Sequence, residues 1–284
     1  MSIVHYVSKK GTRRSNEDNH NIYLYKDRES GKSKVNFYAV YDGHGGKYVS
    51  SYLAKNLPGC FIHPKVTFPL NKRYVNNIYN AIEKELYEKH VDEATECGST
   101  CLVVCHYVLN GNEYIDVMNT GDSRLVGCNQ AFIGNSITLD HKPGLPMERR
   151  RLEKLGARVG REIWNDRGDW RINDLSVSRA FGDKSSEKYV TCRPDMYTHK
   201  VTDTLRFIIL ACDGLWDVMT SQEAVDIVID ECYDQNGARI ENPQITRCED
   251  GKTVSLNIAE KLANEAIYER GSSDNVTAIV VFFD

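Results

Sequence analysis

A chain of 284 residues that is 41% hydrophobic and 27% charged has the composition of a folded globular protein, with ample material for a core. Its net charge of −4, from 36 basic and 40 acidic residues, is too balanced to point to nucleic acid or an anionic membrane as partner. No run approaches the roughly 20 apolar residues that span a bilayer, and no N-terminal stretch reads as a signal peptide, so an intracellular protein, cytoplasmic or nuclear, is expected.

In chain order, NFYAVY (36–41) is the first strong strand signal, short and rich in aromatic and β-branched residues, and it runs straight into Asp42-Gly43-His44. Between Asn71 and Ala94, Val75, Ile78, Tyr79, Ile82 and Leu86 recur at helical spacing. TCLVVCHYVL (100–109) and EYIDVM (113–118) read as strands joined by a hairpin at LNGNE, and NTGDSR (119–124) predicts a second hairpin. Residues 101, 103, 105 and 107 share one strand face, so Cys101 and Cys105, like Cys97, are expected as small buried residues in a reducing compartment. Nine scattered cysteines with no CxxC pair argue against zinc. Pro146 opens a helix-like stretch that ends at Gly156. Its basic run, Arg149-Arg150-Arg151 with Lys154 and Arg158, predicts a solvated face. Asn173-Asp174 supplies a turn that tolerates left-handed geometry within RINDLSVSR. FIILAC (207–212) is a strand that runs into Asp213, and Thr220 and Glu223 form a capping box before AVDIVIDEC. Residues 233–252 lack apolar periodicity and predict an exposed loop insertion. Ile258, Ala259, Leu262, Ala263, Ala266 and Ile267 mark a helix, and VTAIVVFF (276–283) a last strand, entered from Asp274.

Strands segregated from long helices favour an α+β layered fold. Asp42 and Asp213 leave strands and Asp274 enters one, and antiparallel neighbours bring such ends to one sheet edge. Three carboxylates gathered there repel one another unless a cation lies between them. Carboxylates with few imidazoles or thiolates suit Mg²⁺ or Mn²⁺. Because the three must meet, residues 1–284 are expected to form a single catalytic domain. Asn275-Val276-Thr277 fits a glycosylation sequon but falls inside this segment, where the match reads as accidental. The Arg167-Gly168-Asp169 triplet likewise has no use as an integrin motif in an intracellular chain.

Eight segments together carry a resemblance: GTRRSNEDNH (11–20), VYDGHGG (40–46), GSTCLVV (98–104), NTGDSRLVG (119–127), TLDHKP (138–143), LSVSRAFGD (175–183), ACDGLWDVM (211–219) and GSSDNVTAIVVFF (271–283). In order and spacing the chain resembles the metal-dependent protein serine/threonine phosphatases of the protein phosphatase 2C family. The resemblance implies a central antiparallel β-sandwich flanked by antiparallel α-helices, with the site in a cleft at one end of the sandwich. It implies phosphoprotein substrates, two Mg²⁺ or Mn²⁺ ions with a weaker third, and attack on phosphoserine or phosphothreonine by a metal-bridging hydroxide. Asp42 would bridge the ions, Asp213 and Asp274 would hold one, and the Gly43 carbonyl the other, glycine serving there because the chain turns sharply. Glu17 and Asp18 would orient metal-bound waters, with Asn275 retained beside them.

By the same resemblance Arg13 takes the phosphate, with Arg14 as the confounder beside it, and His44 is the general acid. Asp140 is the candidate neighbour of His44, and with Asp217 and Asp213 it marks the third metal position. Asp122, Arg124 and Arg179 are expected only to pin turns, and Ser185–Arg193 to form a flap beside the active site. No cysteine lies in a CxxxxxR loop, so no phospho-enzyme is expected. A monomer is expected. The alternative is a non-catalytic phosphatase-like binding module, which the loss of a bridging carboxylate would mark; none is lost. A metal-dependent nuclease would call for a basic groove that the composition lacks.

Overall fold

Both faces of each central sheet are covered, which is why these strands read as continuous apolar runs and not as alternating ones. The computed structural model describes residues 3–24, 35–161, 170–241, 243–246 and 253–283. Its centre is two five-stranded antiparallel sheets. Across the first sheet the order is Ile3–Lys9, Val276–Phe282, Leu205–Ala211, Arg124–Asn129 and Gly134–Ser136. Across the second it is Asp195–Lys200, Asn112–Thr120, Cys101–Leu109, Val35–Tyr41 and Asn19–Tyr23.

Period-two alternation along Val35–Tyr41 divides its side chains between two cores. Phe37, Ala39 and Tyr41 pack under helices Tyr48–Asn56 and Lys72–Lys89, against Leu53, Val75, Tyr79 and Leu86. Tyr38 and Val40 face the other way and meet Leu102, Val104, Ile208, Leu210 and Ile279 between the sheets. On the far side Phe207, Ile209, Ala278 and Val280 pack under helices Ser221–Cys232 and Ile258–Asn264. The expected α+β sandwich between helical layers is present. The expected capping box of Thr220 and Glu223 forms, and Asn71 caps helix Lys72–Lys89 by accepting from Arg73 N and Tyr74 N. Every described cysteine is free, and all but Cys60 are buried.

Three expectations are corrected. NTGDSR is not a hairpin, because Asn112–Thr120 lies in the second sheet and Arg124–Asn129 in the first, so the chain crosses the sandwich there. The crossing draws on the same turn chemistry as a hairpin: Gly121 has φ 102°, and a Cβ on it would lie 2.6 Å from Thr100 Cβ. The 233–252 segment is not a plain loop, since Gln244–Thr246 pairs with Thr253–Ser255 and Tyr233 with Arg239. Strands of three residues are too short to display a period. The basic face of helix Pro146–Lys154 is not simply solvated. Arg151 donates to Ser178 O at 2.7 Å and Tyr189 O at 2.6 Å, and Arg149 lies over the Trp170 ring at 4.4 Å. The Arg167–Asp169 triplet and Cys248 lie outside the described residues.

Candidate active site

Three strand ends assemble the site. Asp42 follows Val35–Tyr41, Asp213 follows Leu205–Ala211 by one intervening residue, and Asp274 precedes Val276–Phe282. Leu205–Ala211 pairs antiparallel with Val276–Phe282, Ala211 opposite Ala278, so the exit of one and the entry of the other share an edge. The three aspartates line a cleft of about 650 Å³ together with Arg13, Arg14, Glu17, Gly43, His44, Asp122 and Asn275.

The three carboxylates that crowd together are not the expected trio. Oxygens of Asp42, Asp122 and Asp213 all lie within 4.8 Å of one another, and Asp42 also belongs to a second such group with Asp18 and Cys212. Burial, then repulsion between neighbouring carboxylates, pushes Asp42 and Asp213 well above the usual carboxylate range. Burial above all raises Asp18 and Asp122 to about 6. Asp18 Oδ1 and Asp122 Oδ2 are buried and accept no hydrogen bond. Orphaned oxygens among mutually repelling carboxylates fit hard cations such as Mg²⁺ or Mn²⁺. Asp122 was expected only to pin a turn. It leaves the Asn112–Thr120 strand much as Asp42 leaves its own, and that strand-exit rule is the signal that could have found it.

Asp274 lines the same cleft but is engaged by Arg13, whose Nη2 donates to Oδ2 at 2.6 Å. Arg14 has no ion pair among the described residues and also lines the cleft. Asn275 staples the segment that carries these arginines: its Nδ2 donates to Lys10 O and Ser15 O, and its Oδ1 accepts from Glu17 N at 2.8 Å. Buried in this role, it is no glycosylation acceptor. Glu17 Oε2 accepts from Gly46 N at 3.0 Å, and Asp18 Oδ2 accepts from Thr277 Oγ1 at 2.7 Å.

Gly43 is required for a reason other than a sharp turn. It sits in the two-residue strand Gly43–His44, and a Cβ there would lie 2.4 Å from Glu17 O; the left-handed residues are Gly45 and Gly46. The partner of His44 also differs from expectation. Its Nε2 lies 2.8 Å from both Oδ atoms of Asp183, whereas Asp140 accepts from Arg124 Nε and Nη2 at 3.0 and 2.6 Å. Burial opposes charge on the imidazole, but Asp183 outweighs it and raises the His44 pKa. Asp217 Oδ1 accepts from Lys142 Nζ at 3.0 Å. Arg179 does pin loops, through Glu148 and Asp195. The wall beside the carboxylates is Arg171 with Asp174–Val177; residues 185–193 do not line the cleft, and Arg151 holds Tyr189 O against the neighbouring helix.

A family model described as Protein phosphatase 2C matches residues 4–276. Probable protein phosphatase 2C 59 of Arabidopsis thaliana is 36% identical over 284 residues, covering 98% of this chain and 78% of its own. Probable protein phosphatase 2C 45 of Oryza sativa subsp. japonica is 36% identical over 282 residues, covering 98% of this chain and 86% of its own. A crystal structure of serine-threonine phosphatase 2C from Toxoplasma gondii superimposes with a TM-score of 0.77 at 23% identity, covering 99% of this chain and 94% of its own, a likeness of fold.

Proposed function

This chain belongs to the protein phosphatase 2C family and is a protein serine/threonine phosphatase, and from that premise we propose that its cleft hydrolyses phosphoserine and phosphothreonine esters by direct attack of water, using two Mg²⁺ or Mn²⁺ ions. The observation that carries this reading is the gathering of Asp42, Asp122 and Asp213 within 4.8 Å, with Asp122 Oδ2 buried, without a hydrogen bond and facing Lys142 Nζ at 3.6 Å. Asp42 stands both among these carboxylates and beside Asp18 and Cys212, and it would be the carboxylate best placed to hold an ion. Gly43 O, Asp122, Asp213 and Asp274 would complete the donor set, all oxygen. When bound, such ions lower the pKa of water and neutralise charge that builds on the phosphoryl oxygens.

The chain's own groups supply the rest. Arg13 and Arg14 stand at the cleft as guanidinium forks for a phosphate dianion. His44 gives a proton to the departing serine or threonine oxygen, an alkoxide too basic to leave unaided. Glu17 and Asn275 keep the arginine segment and the Gly46 turn in place. Asp140 and Asp217 each face a cation, Arg124 and Lys142, so a weaker third ion would compete with those two ion pairs for its ligands.

The test is hydrolysis of a phosphothreonine peptide with Mn²⁺ and then with excess chelator, alongside calorimetric titration of Mn²⁺ into the wild type and Asp122→Asn. Activity should vanish with chelator, and the variant should bind the ion more weakly. Full turnover in chelator would sink the reading.

A further inference from the structure

We infer that Asp183 is the positioning residue for His44: it fixes the imidazole through Nε2, so that Nδ1 is the nitrogen presented to the leaving oxygen. This rests on the proposal that His44 is the proton donor, and it names the group that aims the donor. The step itself balances simply. As the P–O bond breaks, its electron pair stays on the serine or threonine oxygen, which takes the proton from Nδ1, and the neutral ring is later reprotonated by solvent water.

Both carboxylate oxygens of Asp183 lie 2.8 Å from His44 Nε2, and Nδ1 makes no hydrogen bond among the described residues. The imidazole is part-exposed at the cleft, whereas Asp183 is 2% exposed and so sits behind it. A separate three-stranded sheet holds the pair together. Gly98–Ser99 is its middle strand, flanked by Gly43–His44 and Phe181–Gly182, and Gly98 stands opposite both His44 and Gly182. A Cβ on Gly98 would lie 2.2 Å from Asp183 Oδ2 and 2.4 Å from His44 Nε2. Glycine at 98 is therefore the space in which the two side chains meet.

Asp183 itself adopts a left-handed conformation, φ 50°, which aspartate tolerates better than most residues. Its N–H donates to Cys97 O at 3.0 Å. The residue before it is gripped from helix Lys72–Lys89: Gly182 N donates to Glu83 Oε2 at 2.9 Å, and Gly182 O accepts from Tyr87 Oη at 2.7 Å. A left-handed turn held on both sides, with the Asp183 side chain spent on one cleft imidazole, is the arrangement of a group that orients another.

The test uses the Mn²⁺-loaded enzyme and two substrates, a phosphothreonine peptide and p-nitrophenyl phosphate. Asp183→Ala should lower kcat on the peptide about 10–100-fold, the usual loss when an orienting partner of a functional imidazole is removed. On p-nitrophenyl phosphate it should change kcat by less than about 3-fold, because that phenolate leaves without a proton. KM should hold for both. Asp183→Asn keeps an acceptor for Nε2–H and should restore most of the peptide rate. Gly98→Ala should reproduce the split without altering either partner, and it and Asp183→Asn carry the test if Asp183→Ala does not fold. In a His44→Gln background, Asp183→Ala should add nothing. Equal loss on both substrates, or no loss on the peptide, while His44→Gln still separates them would overturn the assignment of Asp183 alone. If His44→Gln slows both substrates equally, the proton-donor reading fails first and this inference falls with it.

Discussion

Replacing Glu83 by Gln offers a test of the packing that supports the cleft, and it does not depend on any metal. Glu83 projects from helix Lys72–Lys89 into a buried contact, where Oε2 accepts from Gly182 N at 2.9 Å and Oε1 lies 3.0 Å from Tyr87 Oη. Burial, reinforced by the nearby Asp183 and Glu187, pushes its pKa from the ordinary 4.5 up to about 8, against the lowering effect of those two contacts. Between those values the folded state binds a proton that the unfolded chain has released, so the stability owed to this group falls as pH rises. The penalty is absent below the unfolded value and complete above the folded one. Between about pH 6 and pH 9 it amounts to about 3 kcal/mol, at 1.36 kcal/mol for each tenfold change in proton activity. For a chain of this size that is a fall in Tm of about 6–10 °C. Glutamine cannot ionise, yet its carbonyl still accepts the hydrogen bond from Gly182 N. Thermal melts of both proteins in chelator, where the aspartate cluster titrates alike in each, should therefore diverge, with the wild type losing ground to Glu83→Gln as pH rises. Parallel Tm–pH curves would refute the claim that Glu83 is held protonated near neutral pH.

Further outcomes follow from the same geometry. Asp42→Asn should abolish turnover, yet in chelator it should melt above the wild type, because it removes one charge from a cluster whose members raise one another's pKa; a lower Tm in chelator would contradict the repulsion. Arg13→Ala should chiefly raise KM for a phosphopeptide and leave Mn²⁺ affinity undiminished, since it also releases Asp274 from its ion pair; an unchanged KM would move the phosphate contact to Arg14. Thr220→Ala removes the capping box of helix Ser221–Cys232 and should cost about 1 kcal/mol in denaturant melts without changing kcat.

What the sequence determined by itself is what local chemistry can specify. The strands 35–41, 205–211 and 276–282, the caps at Asn71 and Thr220 and the left-handed pair Asn173-Asp174 each follow from a few adjacent residues. That Asp213 and Asp274 share a sheet edge and line one cleft with Asp42 was legible as well, because a strand end beside an antiparallel neighbour has few places to go. Pairing over long separations was not legible. The glycine turn after Thr120 serves a hairpin or a sheet crossing equally well, and only the packing of Arg124–Asn129 beside Leu205–Ala211 decided for the crossing, carrying Asp122 into the acidic cluster. His44 and Asp183 are 139 residues apart, and nothing near either one says which carboxylate the imidazole meets. That choice was made by Gly98, whose missing Cβ leaves the space where the two side chains touch, and a vacancy of that kind has no periodicity to read.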